Sequence, residues 1–212
     1  MKKLLLVATI FFLSMGLFAR TRKWANFAGF GYRVPSSMII KAKDYGYEKQ
    51  FSYQNGLNLC YTGVHPSKFA VRATFDVNYT QSDKKNVKGE NISGINLTFL
   101  LCPGYAPIYT DNIFIGFFAT VGIDYDFFTY ETSSSTTVTY REIYNAVHVG
   151  GNATMIFTPG KRVSFYGSLC IGCNLPGSFK TEAEVNSTVT RNSDDTESVF
   201  KFSPTLGICW KF

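Results

Sequence analysis

Apolar and polar residues alternate along most of this sequence. Residues 69–80 show the pattern most clearly, with apolar side chains at every second position: Phe69, Val71, Ala73, Phe75, Val77 and Tyr79. The intervening positions are small or polar: Ala70, Arg72, Thr74, Asp76, Asn78 and Thr80. A helix would spread both sets around its axis, whereas successive side chains of a strand point to opposite faces. The pattern therefore predicts β-strands.

Eight segments carry this alternation, and together they predict an all-β fold. They lie near residues 24–33, 50–62, 69–80, 94–101, 113–127, 146–157, 163–172 and 200–212. Links near 65, 105 and 160 are short or Pro-rich, and Pro103, Gly104 and Pro107 predict a turn at the second of them. The other links are longer polar loops near 34–49, 81–91, 129–141 and 175–198. An even number of strands with short turns at one end and long loops at the other is typical of transmembrane barrels. We therefore expect residues 20–212 to form one domain, an eight-stranded antiparallel up-and-down transmembrane β-barrel.

Residues 1–19 have the features of a secretory signal peptide. A basic start, Met1-Lys2-Lys3, precedes an apolar run, and Leu17-Phe18-Ala19 offers a cleavage site. The apolar run of about 15 residues is short for a membrane helix, so an uncleaved anchor is the weaker alternative. No later stretch has the roughly 18 apolar residues of a membrane helix. Membrane insertion would therefore require a closed barrel.

The alternation alone does not show which face of the barrel points outward, since a soluble barrel would turn its apolar face inward. Four features favour an apolar face turned to lipid: the leader, the terminal Phe212, the low charge and the order of aromatic residues along the strands. Charged residues make up 17% of the chain, against about 25% in soluble domains. Aromatic residues flank an aliphatic belt, as membrane interfaces favour. These features predict an outer-membrane location, with both termini on the periplasmic side, where the short turns lie.

The net charge is modest and spread along the chain. The formal value of +6 suits anionic headgroups or surface glycans. Nucleic-acid binding needs a clustered basic stripe, so nucleic acid is not an expected partner.

The five cysteines are predicted to be small wall residues. Because their number is odd, at least one has no partner within the chain. Cys170 and Cys173 have the CxxC spacing of redox and zinc sites, but alternation places their sulfurs on opposite faces. Redox or zinc chemistry is therefore the weaker interpretation.

Five ionisable residues are predicted to form a charged network inside the barrel: Arg72, Asp76, Asp124, His148 and Lys201. The interior of an eight-stranded barrel is just filled by side chains, and buried charges need partners. We expect a packed polar plug. A narrow passage or a gated salt-bridge switch is the alternative.

Catalysis has little support in the sequence. His65 and His148 are the only histidines, and neither belongs to a catalytic, phosphate-binding or metal-ligand motif. We therefore expect no enzyme activity, no cofactor and no metal.

The last eight residues carry the most specific motif. Thr205, Gly207, Trp210 and Phe212 match the order of polar, glycine and aromatic positions in the terminal assembly signal of outer-membrane barrels. With this motif, the chain resembles the small eight-stranded outer-membrane proteins of the OmpX, OmpA-barrel and OmpW type. The resemblance implies a monomer in outer-membrane lipid, whose last strand is recognised by the barrel-assembly machinery and closes against the first strand.

The resemblance leaves two functions open. An OmpX-like protein has a polar core and acts through its loops in adhesion or recognition of host surface or matrix molecules. An OmpW-like protein passes small hydrophobic solutes through a more apolar interior. The charged network favours the first function, so a structural or surface-interaction barrel is expected. Four inward apolar residues keep uptake as the alternative: Leu100, Phe114, Phe118 and Tyr166.

Overall fold

The computed structural model describes residues 24–41, 48–85, 91–133, 137–185 and 188–212. The predicted signal peptide, residues 1–19, lies outside these ranges. Eleven strands are present in the described residues: β1 Ala25–Arg33, β2 Ser36–Lys41, β3 Glu48–Val64, β4 Phe69–Lys85, β5 Asn91–Tyr109, β6 Ile113–Ser133, β7 Thr137–Phe157, β8 Val163–Asn174, β9 Ser178–Val185, β10 Thr188–Asp195 and β11 Val199–Lys211. The described part of the chain includes no helix long and apolar enough to cross a membrane.

The strands form one closed antiparallel barrel. β3 to β8 pair in sequence order, β1 pairs with β3, and β11 joins β1 to β8. β2 continues β1 along β3, while β9 continues β8 along β7. β10 pairs with β9 and leads into β11. Counting each continued strand once gives eight barrel strands, which confirms the predicted fold.

The barrel turns its apolar face outward. Exposed large apolar residues occur on every barrel strand; Leu57 is 64% exposed and Phe117 57%. The inward positions between them hold Thr, Asn, Asp, Cys and aromatic side chains that are almost fully buried. The direction of alternation predicted from the sequence is therefore confirmed.

The turn predicted at Pro103, Gly104 and Pro107 is wrong. β5 continues through all three residues to Tyr109, and the connection to β6 falls at residues 110–112. The pairing of β5 with β6 shifts register between Tyr105 and Ile108. Proline has no N–H to donate to a ladder and is tolerated at such a bulge, so Pro107 marks an irregularity within the strand, whereas Pro103 pairs in register with Val71 of β4.

The predicted long loops contain much regular strand. Tyr130 pairs with Tyr140 and Thr132 with Val138, so β6 and β7 extend into a segment rich in Ser and Thr. β9 and β10 form a hairpin in the segment predicted as a loop at 175–198. Threonine and tyrosine favour strands, which explains why these polar segments continue the ladder.

The ends of the described chain meet beside the short turns. The N–H of Phe212 donates to the carbonyl oxygen of Asn26 at 3.0 Å, and the N–H of Asn26 donates back at 3.3 Å. Paired positions between β1 and β11 run from Phe27–Lys211 to Arg33–Thr205. We call this end of the barrel the turn end, and the opposite end, which carries β2, β9 and β10, the hairpin end.

Candidate functional site in the barrel interior

The interior has three zones along its length. An apolar cluster fills the turn end, and it includes Phe27, Val64, Ala70, Phe114, Phe118 and Ile156. A second apolar cluster fills the hairpin end: Ile92, Phe128, Tyr144, Ala146, Phe179 and Val199. Ion pairs and amide side chains lie between the two. The polar plug expected from the sequence therefore occupies the middle zone, between two apolar clusters.

The Asp124 carboxylate is the centre of the charged zone. Lys201 Nζ lies 2.5 Å from Asp124 Oδ2. Three neutral side chains also donate to the carboxylate: Asn174 at 2.6 Å, Thr98 at 2.6 Å and Asn96 at 2.8 Å. Asp124 and Lys201 are both buried. A buried ion pair needs such additional hydrogen bonds to offset its desolvation.

A second ion pair joins Arg33 to Asp76. Arg33 Nη1 lies 3.2 Å from Asp76 Oδ2, and Nη2 donates to the Ser203 hydroxyl. Asn58 donates to the other oxygen of Asp76 and accepts a hydrogen bond of 2.6 Å from the Tyr166 hydroxyl. Arg33 therefore connects the first barrel strand to β4 and to the closing strand β11.

His148 connects to Asp124 through an amide. Asn174 donates to the carboxylate, so its own oxygen, Oδ1, is left to accept from His148 Nδ1 at 3.0 Å. A proton on Nδ1 leaves Nε2 of the neutral ring as an acceptor. Cys170 Sγ lies 3.7 Å from this Nε2 and can donate to it. The hydrogen bond from the Asn174 amide to Asp124 thus turns the amide oxygen toward His148 and favours the tautomer with the proton on Nδ1.

Arg72 lies apart from the other four predicted network residues, within the apolar cluster of the turn end. Its Nη1 donates to Thr62 at 2.8 Å, and its guanidinium lies 5.2 Å from the ring centroid of Tyr166. No described carboxylate forms an ion pair with it, and Nε and Nη2 are buried without a hydrogen-bond partner among the described residues. The cation is stabilised by the aromatic face and one hydroxyl.

The sequence does not predict every charged residue of the interior. It does not place Arg33 in the network, because apolar and small residues occur at both parities of β1. Asp126 and Glu142 are also buried, and Tyr130 donates to Glu142 at 2.7 Å. Asp126 and Glu142 occupy even-numbered positions of β6 and β7, as the inward-facing Asp124 and His148 do. This shared parity is the sequence signal that could have placed them inside the barrel.

An aromatic pair lies at the hairpin end of β6 and β7. The rings of Tyr130 and Tyr140 stack with centroids 5.3 Å apart. Burial raises the pKa of the Tyr130 hydroxyl above its ordinary value, and the neighbouring Tyr140 adds to this shift. The Tyr130 hydroxyl therefore stays protonated and available to donate to Glu142.

The charged zone encloses one small cavity. Its volume is about 20 Å³, and its lining includes Arg33, Asp76, His148, Cys170 and Lys201. A cavity of this size has room for about one water molecule. The described side chains therefore leave little open space in this part of the barrel.

The cysteines face the interior except for Cys173. Cys170 is buried and Cys173 is half-buried on the opposite face, and all five thiols are free. Within the described ranges, no three His, Cys, Asp or Glu side chains are grouped so that they could hold a metal ion.

The four residues of the predicted assembly signal lie on β11 and at its end. Thr205 is buried and faces inward, whereas Trp210 and Phe212 are exposed on the outer face. A Cβ at Gly207 would lie 2.5 Å from Tyr166 Cε1, so glycine leaves room for the ring. These positions show a closing strand, and recognition of the strand by assembly machinery remains a prediction.

This architecture is that of the small eight-stranded outer-membrane barrels. Solved structures of outer-membrane proteins share it. The chain is similar to outer membrane protein OprG from Pseudomonas aeruginosa, with 16% identity over 89% of this chain and 95% of that chain and a TM-score of 0.55. It is also similar to a major outer membrane protein from Thermus thermophilus, with 17% identity over 89% and 99% of the two chains and a TM-score of 0.58.

The other comparisons do not indicate which function the protein has. The outer membrane protease OmpT from Escherichia coli is 9% identical over 91% of this chain and 99% of that chain, and its TM-score of 0.43 is too low to support an argument. No protein-family model matches the sequence, and no curated protein matches it either. The solved structures therefore show the fold and do not assign a function.

Proposed function

We propose that this protein is a monomeric outer-membrane barrel with a filled interior, which acts as a structural or surface-interaction protein through its hairpin end. The filled middle zone is the observation that carries the proposal. The described side chains of the middle zone leave a cavity of only about 20 Å³, which supports assigning function to the strands that extend beyond the barrel. Neither a cofactor nor an enzyme activity is part of the proposal.

The outward apolar face supports the proposed location. Apolar residues such as Leu206, Phe117 and Val121 lie exposed, and exposing so much apolar surface to water would be costly. Outer-membrane lipid is therefore the proposed partner of this face. We further propose that the turn end, with both termini, faces the periplasm, and that the barrel-assembly machinery recognises β11.

Purified protein in planar lipid bilayers tests the filled interior. We expect no steady ion conductance from the intact protein. A porin in the same bilayers is the positive control for detection, and Phe114→Ala with Phe118→Ala, which thins only the turn-end cluster, should still give no conductance because the middle zone stays filled. Steady conductance of the unaltered protein, abolished by a blocking group in the interior, would contradict the proposal.

The surface role needs its own test. A variant in which a short turn replaces residues 178–195 should keep the heat-modifiable gel mobility of a folded barrel but lose binding to host matrix proteins. Shortening the turn at 158–162 provides the control. If matrix binding is absent in the intact protein, or persists after the hairpin is removed, the surface role is wrong.

Uptake of small hydrophobic solutes is the second candidate. The apolar clusters at both ends of the interior favour it, because they would tolerate an apolar solute. Flux of a hydrophobic dye into vesicles distinguishes the candidates. Flux that rises with the number of inserted barrels, without ion conductance, would favour uptake.

A further inference from the structure

Arg72 carries a buried charge that no described carboxylate neutralises. Its side chain is fully buried. The interior cations Arg33 and Lys201, by contrast, each form an ion pair with an aspartate. A buried charge without a counter-ion is strongly destabilising. An arginine cannot escape this cost by losing its proton, because the guanidinium stays charged in proteins.

The vacant donors of Arg72 lie on one edge of its guanidinium. Nη1 donates to the Thr62 hydroxyl at 2.8 Å, whereas Nε and Nη2 are buried without a hydrogen-bond partner among the described residues. The N–H groups of Nε and Nη2 point the same way from the planar group and form the fork that binds anions side-on. Arg72 therefore presents a complete two-donor fork with no described acceptor.

The direction of this fork is fixed by the groups on either side of the guanidinium. Thr62 holds one end, and the Tyr166 ring lies with its centroid 5.2 Å from the guanidinium carbon. The Tyr166 hydroxyl donates to Asn58 at 2.6 Å. A Cβ at Gly207 would lie 2.5 Å from this ring, so the ring lies directly on the backbone of β11. The fork is therefore held ready before any anion binds.

The described neighbours of Arg72 do not supply a free carboxylate. Asp76 lies four residues further along β4, a rise of roughly 13 Å, and it already accepts from Arg33 and Asn58. The residues paired with Arg72 on the adjacent strands are Thr62 and Cys102. A thiolate is the internal alternative, but thiols in apolar surroundings ionise poorly. The missing charge is therefore best supplied by a bound anion.

The packing of the turn end limits the size of such an anion. A Cβ at Gly104 would lie 2.6 Å from the Phe118 ring, and a Cβ at Gly116 would lie 2.5 Å from the Phe114 ring. Both rings therefore lie directly on the strand backbones and belong to the buried apolar cluster. A single spherical ion fits such surroundings better than a carboxylate with a hydrocarbon chain, which would displace the rings.

We propose that the fork of Arg72 holds one chloride ion inside the barrel. Nε and Nη2 donate to the ion, and its single negative charge cancels that of the guanidinium. The Tyr166 ring continues to cover a face of the cation. The site requires the closed barrel but does not depend on the surface role proposed for the hairpin end.

Anomalous scattering from bromide can locate the ion. The full-length protein is crystallised from detergent with sodium bromide in place of chloride. We expect an anomalous peak within hydrogen-bond distance of Nε and Nη2 of Arg72, and no peak there in Arg72→Met. Absence of the peak in the unaltered protein would overturn the inference, and this result does not depend on whether the variant folds.

Thermal unfolding in detergent tests the same site in solution. When chloride replaces gluconate at constant ionic strength, the midpoint of the unaltered protein should rise by several degrees, because an ion that binds only the folded state stabilises it. Arg72→Met should abolish this rise. In gluconate the variant should unfold at the same or a higher temperature than the unaltered protein, since methionine replaces an uncompensated buried cation.

Arg162→Met is the matched control. Arg162 is exposed at the turn end, so the variant loses the same charge and should keep the full response to chloride. Heat-modifiable mobility confirms that each variant is folded. If Arg72 served packing alone, Arg72→Met would lower the midpoint equally in both salts. That result, or a midpoint of the unaltered protein that does not respond to chloride, would overturn the chloride site and leave the proposed function intact.

Discussion

At the scale of single residues, the protein contains one Asp–Lys pair in its interior and another at its surface. Asp124 and Lys201 are both almost fully buried and form a close pair, whereas Asp111 and Lys211 form a loose pair at the surface, 3.8 Å apart. The two Asp–Lys pairs therefore offer a matched comparison of buried and exposed charge.

Asp124→Asn should destabilise the protein by about 3–5 kcal/mol, because it leaves the Lys201 ammonium buried without its counter-ion. Adding Lys201→Met should recover much of this loss. The measurement is the free energy of unfolding in urea, in lipid vesicles, as a double-mutant cycle. Asp111→Asn is the control and should cause no detectable change. A buried-pair variant as stable as this control would contradict the assigned network.

The outward face can be tested with two valines of similar exposure. Val121 is 49% exposed on the apolar belt of β6, and Val189 is 44% exposed on β10, beyond the belt. Val121→Lys should cost roughly 2–4 kcal/mol in lipid, because it places a charge near the middle of the bilayer. Val189→Lys should cost much less. Unfolding in vesicles measures both values, and equal costs would exclude a lipid-facing belt at Val121.

At the scale of elements, β1 and β11 close the barrel, and they can pair only if their backbones approach each other closely. Gly29 on β1 pairs with Cys60 on one side and Cys209 on the other. A Cβ on Gly29 would lie 2.5 Å from Cys209 Cα and would also meet the carbonyl oxygen of Ile208. Neither neighbour can move without displacing the β11 backbone.

Gly29→Val should therefore impair barrel closure, and refolding into detergent should yield little of the heat-modifiable form. Gly151→Val is the matched control, because Gly151 faces outward and its nearest neighbour, the carbonyl oxygen of Phe118, is 3.7 Å from an added Cβ. Full refolding of Gly29→Val would show that the β1–β11 approach is looser than described.

The strands were predictable from the sequence where one face is uniformly apolar, as in β4 and β6. Their ends were not, since Thr and Tyr continue a ladder as readily as they form a loop. The turn predicted at Pro107 is wrong because a bulge between Tyr105 and Ile108 accommodates the proline within β5.

The interior was only partly predictable. Parity placed Asp76, Asp124 and Lys201 on the inward face, but it did not predict which charges pair. The partner of Asp76 is Arg33, which is distant in sequence, whereas Arg72 is stabilised by Tyr166. Pairings across a barrel depend on register and tilt, and the alternation of a single strand specifies neither.

At the scale of the whole molecule, the two ends of the barrel differ in their connections, and this difference predicts an orientation. An epitope inserted between β9 and β10 should be accessible to antibody on intact cells. An epitope after Phe212 should become accessible only after the outer membrane is permeabilised. Immunofluorescence before and after permeabilisation measures both, and the reverse pattern would place the termini outside.

The pairing of Asn26 with Phe212 has a consequence for biogenesis. Until β11 is in place, the edges of β1 and β8 both present unpaired backbone groups, which invite association with other chains. A chain that lacks β11 cannot complete its wall however well its other strands pair. A chain truncated before β11 should therefore aggregate, because only a chain with β11 can pair the edges of both β1 and β8.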